Sequence, residues 1–168
     1  QLIGLIPSAM SGTITYNNAG LVFEDVDMTT SAINGFQTNG NNTNDTIVLK
    51  NSTLNVPNGY GIYFPSSGSV TLENSKINAK TMGVQVCAGS LNVKDSDITV
   101  TAGPLEKTEG DGAIEDGAAI SVVDRTGYKG LGKVTVESGN FAAKSGNDAV
   151  KAYKWKNKIE SDFDNSTG

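Results

Sequence analysis

The chain contains an internal repeat, and this repeat limits the folds open to it more than any other feature. Five ten-residue segments align without gaps, and they begin at Leu21, Ile47, Val70, Leu91 and Val134. The first and third residues of each segment are apolar, a period of two that indicates a strand with one buried face. The starts lie 26, 23, 21 and 43 residues apart, so the first three spacings define one repeating unit.

Each unit is predicted to contain three short strands. The fifth and sixth positions of the aligned segment are mostly Asn, Asp or Ser, as in Asn51 and Ser52, and these residues favour a tight turn. Apolar alternation resumes at the eighth position, and a third apolar run follows about 13–14 residues after the unit begins, for example at 61–64. Since one such unit cannot bury its apolar row alone, neighbouring units must stack.

The pattern therefore predicts an all-β fold, a parallel β-helix solenoid with three short strands per rung. We expect about five to six rungs of 21–26 residues, with equivalent residues in columns about 4.8 Å apart. The whole chain, 1–168, is predicted to be a single domain. Within it, 1–20 form an N-terminal partial rung or cap, 21–153 hold the repeats, and 154–168 form a C-terminal cap or partial rung.

The gap of 43 residues could hold two units, or one unit with insertions. The fourth position of the segments decides between these, because it reads Glu24, Lys50, Glu73, Lys94 and Glu137 down the stack. Like charges stacked directly on each other are destabilising, and the alternation survives only if the last segment directly follows the fourth. We therefore expect two loop insertions in the fourth full rung, at 102–116 and 124–130.

The apolar columns and the polar turn columns resemble the right-handed parallel β-helix of the pectate-lyase-like type. The turn residues that carry this resemblance are Asn51, Asn74, Ser52, Ser75 and Ser96. The stretch 118–153 also looks like repeats in secreted or wall-anchored surface proteins of Gram-positive bacteria. The resemblance implies an extracellular or cell-surface location. It also implies a possible activity on acidic polysaccharides, since many β-helix proteins are lyases, hydrolases or esterases of that kind.

The composition excludes several kinds of site. The 168 residues include no histidine, one cysteine (Cys87) and one arginine (Arg125). Imidazole bases and the commonest zinc ligand are therefore lacking, and no internal disulfide can form. The net charge is −5 and the sequence pI about 4.6, which argues against a nucleic-acid partner. No segment is long and apolar enough to span a bilayer, so we expect no membrane insertion.

Ligand-binding residues are expected where the two insertions flank a short strand at 118–123, because the rest of the rod repeats. The candidates are Glu106, Glu109, Asp111, Asp116, Arg125, Tyr128, Tyr153 and Trp155. The last two aromatics either stack on sugar rings or cap the open end of the apolar column. Tyr60 and Tyr63 are expected to lie far from this cluster. An outward column of Tyr63, Gln85, Ser121 and Lys151 offers only a weak sugar platform.

The first insertion is acidic, and Asp111, Glu115 and Asp116 are weak calcium candidates because carboxylates near glycines can bend around a hard cation. A mobile, solvated loop is the competing interpretation. Replacement of 102–116 by a short turn is expected to leave folding intact, since loop length costs little. Asp124 and Arg125 are expected to form a structural pair that anchors the second insertion, and Cys87 is expected to be a turn or core residue.

These observations favour a noncatalytic extracellular β-solenoid module of a bacterial surface protein, with an adhesion, stalk or surface-assembly role. No catalytic residue and no cofactor are predicted, apart from the calcium left open above. A cell-surface glycan, a protein or a second copy of the chain are the partners considered. The alternative is a carbohydrate-binding or polysaccharide-active β-helix module, similar to a lyase or hydrolase.

Overall fold

A computed structural model describes residues 13–17, 20–38, 44–105, 112–125, 128, 131–155 and 163–164. These residues form seventeen strands. In chain order the strands are β1 (Thr13–Asn17), β2 (Gly20–Glu24), β3 (Asp27–Thr29), β4 (Asn34–Gln37), β5 (Thr46–Lys50), β6 (Thr53–Val56), β7 (Tyr60–Phe64), β8 (Ser69–Glu73), β9 (Lys76–Ala79), β10 (Met82–Val86), β11 (Ser90–Lys94), β12 (Ser96–Val100), β13 (Ile120–Arg125), β14 (Lys133–Val136), β15 (Gly139–Ala142), β16 (Val150–Trp155) and β17 (Phe163–Asp164).

The strands stack into three sheets, each built on five parallel strands. The first sheet has the order β1-β2-β5-β8-β11-β14, the second β17-β16-β13-β10-β7-β4, and the third β15-β12-β9-β6-β3. Two outer strands run the other way: β1 pairs antiparallel with β2, and β17 pairs antiparallel with β16. One strand from each sheet makes a rung, so the described residues form an all-β parallel solenoid of five rungs, as the sequence predicts.

The register between β11 and β14 shows whether the 43-residue gap between the last two segments contains an additional rung. Leu91 pairs directly with Val134, so no rung lies between them. The outward charges stack in the predicted order, with Lys50 Nζ 3.8 Å from Glu73 Oε2 and Lys94 Nζ 3.5 Å from Glu137 Oε2. Exposed pairs of this kind contribute at most about 1 kcal/mol each, so the column specifies register more than it stabilises the fold. The two insertions in the fourth rung are confirmed.

The apolar rows fill the interior of the solenoid and form the first core. Leu49, Leu72 and Val93 stack in one column with exposures of 0, 0 and 2%. Ile62 and Val84 belong to a second column and are also fully buried. Because the inward residues of the middle rungs lie between their equivalents in the rungs above and below, each rung depends on its neighbours for burial.

Turns between the first and second strands use a backbone conformation that most residues avoid. Asp25, Asn51, Asn74 and Asp95 have φ values of 55°, 47°, 46° and 48°. Asn and Asp tolerate this left-handed region better than other residues with a side chain, which explains why the turn column holds only these two residue types in the first four rungs.

A ladder of serine hydroxyls runs beside this turn column. The Val26 N–H donates to Ser52 Oγ at 3.1 Å, the Ser52 N–H to Ser75 Oγ at 3.1 Å, and the Ser75 N–H to Ser96 Oγ at 3.0 Å. Each hydroxyl in turn donates to the carbonyl two residues before it, for instance Ser75 Oγ to Glu73 O at 2.8 Å. The ladder satisfies buried backbone groups that the turn removes from the sheets.

No helix long and apolar enough to cross a membrane occurs in the part of the chain that the structure describes.

Candidate functional site

The described end of the first insertion, 112–116, lies over the outer face of the second sheet. The register places Tyr63, Gln85, Ser121 and Lys151 in one outward column, as the sequence predicts. This column is not a solvated platform, because Ile114 from the insertion lies over it and is 1% exposed, while Gln85 and Ser121 are fully buried. The described segment 112–116 of this insertion is therefore a packed layer rather than a projecting loop.

This layer and the sheet beneath it enclose a second core, separate from the interior of the solenoid. Its buried members are Tyr60, Tyr63, Met82, Cys87, Ala113, Ile114, Val123, Tyr153 and Trp155, with Tyr128 packed against them. The expectation that the tyrosines of β7 lie far from the insertions is wrong, since Tyr63 Oη lies 3.1 Å from Tyr128 Oη. The reason is that the insertions, which belong to the fourth rung, extend back across the outer face to the second rung.

Gln85 joins the insertion to the sheet. Its Nε2 donates to the Ile114 carbonyl at 3.0 Å, and its Oε1 accepts the Ile114 N–H at 3.0 Å. The same Nε2 lies 3.1 Å from Ser121 Oγ. The Gln85 amide thus pairs with both backbone groups of Ile114, which is buried but does not belong to a parallel strand of the sheets. It takes the place that a neighbouring strand would have.

Asp116 is a buried carboxylate of the site, with an exposure of 1%. Its Oδ1 accepts the Ala118 N–H at 3.0 Å, and its Oδ2 accepts the Tyr153 hydroxyl at 2.7 Å. Lys151 Nζ donates to the Asp116 backbone carbonyl at 2.7 Å. Burial raises the pKa of the Asp116 carboxyl, although these hydrogen bonds and the nearby lysine oppose that shift.

Arg125, 3% exposed, anchors the two insertions to each other and to β7. Its Nη1 donates to Tyr63 Oη at 3.0 Å and to the Gly112 carbonyl. Its guanidinium lies over the Tyr128 ring, with Cζ 5.5 Å from the ring centroid. Asp124 precedes it on β13 and points to the opposite face of the strand. Arg125 therefore anchors the insertions through these other groups, in place of the expected pair with Asp124.

Cys87 belongs to the second core and is fully buried, as predicted for a core residue. Burial raises the pKa of its thiol to about 12, so the thiol stays protonated near neutral pH. A protonated, buried thiol is a poor nucleophile. Burial also raises the pKa of the Tyr63 and Tyr153 hydroxyls, with the Asp116 carboxylate adding to the shift at Tyr153.

The structure brings together five of the eight residues that the sequence singles out. Asp116, Arg125, Tyr128, Tyr153 and Trp155 all belong to this neighbourhood. The two aromatics of β16 pack in the second core, so they neither cap the apolar column nor face solvent as a sugar platform. The remaining candidates, Glu106, Glu109 and Asp111, lie outside the described residues.

The calcium hypothesis stays a prediction. Glu115 and Asp116 are 4% and 1% exposed, and Asp111, the third candidate, lies outside the described residues. In the ranges that the structure describes, no group of three or more His, Cys, Asp or Glu side chains converges as metal ligands would.

A shallow groove lies on the outer face of the first sheet, away from the second core. Its volume is about 190 Å³. It is lined by Thr71, Leu72, Glu73, Asn92, Val93, Lys94, Thr135 and Glu137. The sequence carries no specific signal for this groove, because its lining residues other than the inward Leu72 and Val93 are ordinary members of the repeating outward columns.

The described residues thus form a regular rod with a packed second core on its second sheet and a shallow polar groove on its first sheet. Comparison of the chain with protein-family models, with curated proteins and with solved structures gives no match in any of the three.

Proposed function

We propose that the protein is a noncatalytic extracellular module of a bacterial surface protein, a rod that serves adhesion, a stalk or surface assembly. The observation that carries the proposal is the packing of the insertions. Where the regular repeat is broken, Arg125, Tyr153 and Trp155 are at most 4% exposed and their neighbours are side chains of the same chain. These described residues brace the rod, and their side chains are packed against one another rather than presented to a substrate.

The chemistry of the described residues agrees with this proposal. Glycoside hydrolysis needs two carboxyl groups placed on either side of an accessible bond. The outward glutamates of the first sheet instead alternate with lysines, as in the Lys94–Glu137 pair. Asp116 is buried and engaged by Ala118 and Tyr153. The resemblance to right-handed, pectate-lyase-like β-helices and to wall-anchored repeats supports the extracellular, bacterial assignment.

The test of the noncatalytic proposal is product release. The purified chain is incubated with a panel of acidic and neutral polysaccharides, and new reducing ends and unsaturated uronic products are measured. We expect no product above the buffer control. Product that forms with the folded chain and disappears with a Leu72→Asp variant, whose core is disrupted, would show that the chain is an enzyme.

Carbohydrate binding without catalysis is the second candidate, and the groove on the first sheet favours it. Asn92, Thr135 and Thr71 present hydroxyl and amide groups there, next to the charged ends of Lys94 and Glu137. Such polar groups can exchange hydrogen bonds with sugar hydroxyls. The groove is shallow, so in this mode of binding one glycan chain would lie across several rungs of the protein.

A glycan array separates the two candidates. If the groove binds, the parent chain selects a class of glycans, and the Asn92→Ala/Thr135→Ala variant loses that signal. The matched control is Asn55→Ala/Asn78→Ala, which removes a hydrogen-bonded outward pair from the third sheet. Binding that survives the groove variant and is lost in the control would move the site to the third sheet.

A further inference from the structure

The fifth rung exposes the end of the first core. Val136 is 45% exposed, whereas its partner one rung earlier, Val93, is 2% exposed. Val150 is 54% exposed, whereas its partner Ile120 is fully buried. All four residues are β-branched and occupy inward positions of their strands. The exposed apolar area at this end therefore follows from the place of the rung as the last of the described stack.

At the same end, strand edges have no neighbouring strand among the described residues. Within the described residues, β14 and β15 are the last strands of the first and third sheets. The only strand beyond β16 there is β17, which pairs with Lys154 and Trp155 at the far end of β16. An edge with unpaired backbone groups next to exposed valines is a template for pairing with another strand.

The sequence of this edge is complementary to itself. From residue 133 to 137 it reads Lys133, Val134, Thr135, Val136 and Glu137. When a second copy lies antiparallel with Thr135 opposite Thr135, Lys133 of each copy faces Glu137 of the other. Val134 then faces Val136 on the inner side. Two opposite-charge pairs and two apolar pairs form from one edge, and opposite-charge and β-branched cross-strand pairs are favourable.

Direction follows from the geometry of a two-fold axis. When two C-terminal ends meet through a two-fold axis that is perpendicular to the rods and to the face of the first sheet, the two copies of β14 run antiparallel, as this complementarity requires. Stacking the C-terminal end on an N-terminal end would instead bring β14 against β1, which already covers that edge of the first sheet in the antiparallel sense. The edge therefore fits another copy of itself better than the opposite end of the rod.

We propose that two copies of the chain associate end to end through their fifth rungs, with β14 pairing antiparallel about Thr135. This dimer would be one form of the surface assembly named in the proposed function. Only its biological role rests on that proposed function. The interface is isologous, so it closes at a dimer and does not extend into a filament. Burial of the exposed valines of both copies supplies the apolar contribution.

Charge variants test the pairing. The 168-residue chain is examined by sedimentation velocity over a range of concentrations, and we expect monomer and dimer only. Lys133→Glu places acidic groups at both ends of the edge, and Glu137→Lys places basic groups at both ends. Each variant alone should weaken dimerisation at least about tenfold. An equimolar mixture of the two should recover a heterodimer, because every facing pair is then of opposite charge.

Glu24→Lys is the matched control. It makes the same change of charge as Glu137→Lys, in the same outward column but at the other end of the rod. Like Glu137→Lys, it also places a lysine against a stacked lysine, here Lys50. It should leave the dimer unchanged. Circular dichroism of all three variants checks that each is folded.

Disulfide trapping gives a second, independent measurement. Thr135→Cys places a thiol on the proposed two-fold axis, where antiparallel partners have Cα atoms about 4.5–5.5 Å apart, within reach of a disulfide. We expect this variant to form a crosslinked dimer on mild oxidation. Thr71→Cys, in the same column two rungs away, is the control and should not crosslink.

Several results would overturn the inference. The first two are a chain that stays monomeric at every concentration and a dimer whose affinity is unchanged by both charge variants. The others are a mixture of the two variants that fails to form the heterodimer, and filaments in place of dimers. A monomeric chain that releases no polysaccharide product refutes this inference and leaves the proposed function standing. Release of product by a chain that still dimerises as expected refutes the noncatalytic proposed function and leaves this inference standing.

Discussion

Gln85 and Ile114 exchange two hydrogen bonds between a side-chain amide and a backbone, each 3.0 Å long. They are 29 residues apart in the chain and belong to the sheet and to the insertion, respectively. This pair of bonds makes the insertion part of the fold, because it lets an irregular segment lie on a sheet without leaving buried backbone groups unsatisfied.

Gln85→Ala should destabilise the protein by about 2–4 kcal/mol, because it leaves the Ile114 N–H and carbonyl buried without these partners. The measurement is the free energy of unfolding from urea titration. Asn92→Ala, on the exposed outer face of β11, is the control and should change stability by less than about 0.5 kcal/mol. A Gln85→Ala protein as stable as the parent would show that water replaces the amide and that the layer is loosely held.

Replacement of 102–116 by a short glycine-containing turn should cost at least about 3 kcal/mol, contrary to the expectation from loop length. It removes Ala113 and Ile114 from the second core, exposes Tyr63 and Tyr153, and takes away the carboxylate that accepts the Tyr153 hydroxyl. Thermal unfolding and binding of a hydrophobic dye report the change. A variant that melts with the parent and binds no dye would restore the view of 102–116 as a dispensable loop.

Stability should depend on pH through Asp116. Because burial raises the pKa of this carboxyl above its ordinary value of 3.8, the folded chain keeps the proton at pH values where the unfolded chain has lost it. The contribution of Asp116 to the free energy of unfolding therefore falls as the pH rises from about 4 through the pKa of the folded state. Above that pKa the contribution stays constant. Urea midpoints measured across this range give the slope.

Asp116→Asn cannot titrate, so its midpoints should lack this fall. Asp148→Asn, which alters an exposed carboxylate, is the control and should keep the slope of the parent. The same slope in Asp116→Asn and in the parent would mean that other groups cause the pH dependence.

Leu72→Asp should destabilise the solenoid by more than about 4 kcal/mol, since it buries a carboxylate in the middle rung with no partner for its charge. Thr71→Asp, one residue earlier and on the outer face, should cost less than about 1 kcal/mol. Far-ultraviolet circular dichroism during thermal unfolding compares the two. Equal melting temperatures for both variants would contradict the inward assignment of Leu72.

The thiol of Cys87 should be unreactive in the folded protein near pH 8, because it is buried and its pKa is raised to about 12. A colourimetric thiol reagent should label it fully only after unfolding in denaturant. Rapid labelling of the native protein would mean that the second core opens on the time scale of the assay.

The rungs could be predicted from the sequence because each residue of a rung is constrained by an equivalent residue in the next. The alternation from Glu73 through Lys94 to Glu137 was enough to show that a gap of 43 residues adds no rung. The charge pairs themselves contribute little energy, yet a slip by one rung would have set like charges together.

The second core could not be predicted in the same way, because no periodicity relates Gln85 to Ile114 or Arg125 to Tyr63. The contacts depend on the path of the insertion, and that path follows from packing rather than from a local pattern. One signal was available in the sequence. The outward positions of the second sheet include Tyr63 and Gln85, where the first sheet has Glu and Lys, and large weakly polar residues on an outer face indicate that something covers it.

The alternating charges of the first sheet also constrain how such a rod can change its length. Duplicating one rung would set two glutamates or two lysines on top of each other, whereas duplicating two neighbouring rungs preserves the order seen from Glu24 to Glu137. The serine ladder tolerates either change, since a copied rung brings its own hydroxyl. Duplication of rung pairs, a lengthening of about 9.6 Å each time, is therefore the route by which this architecture can be extended with its outward charge order kept.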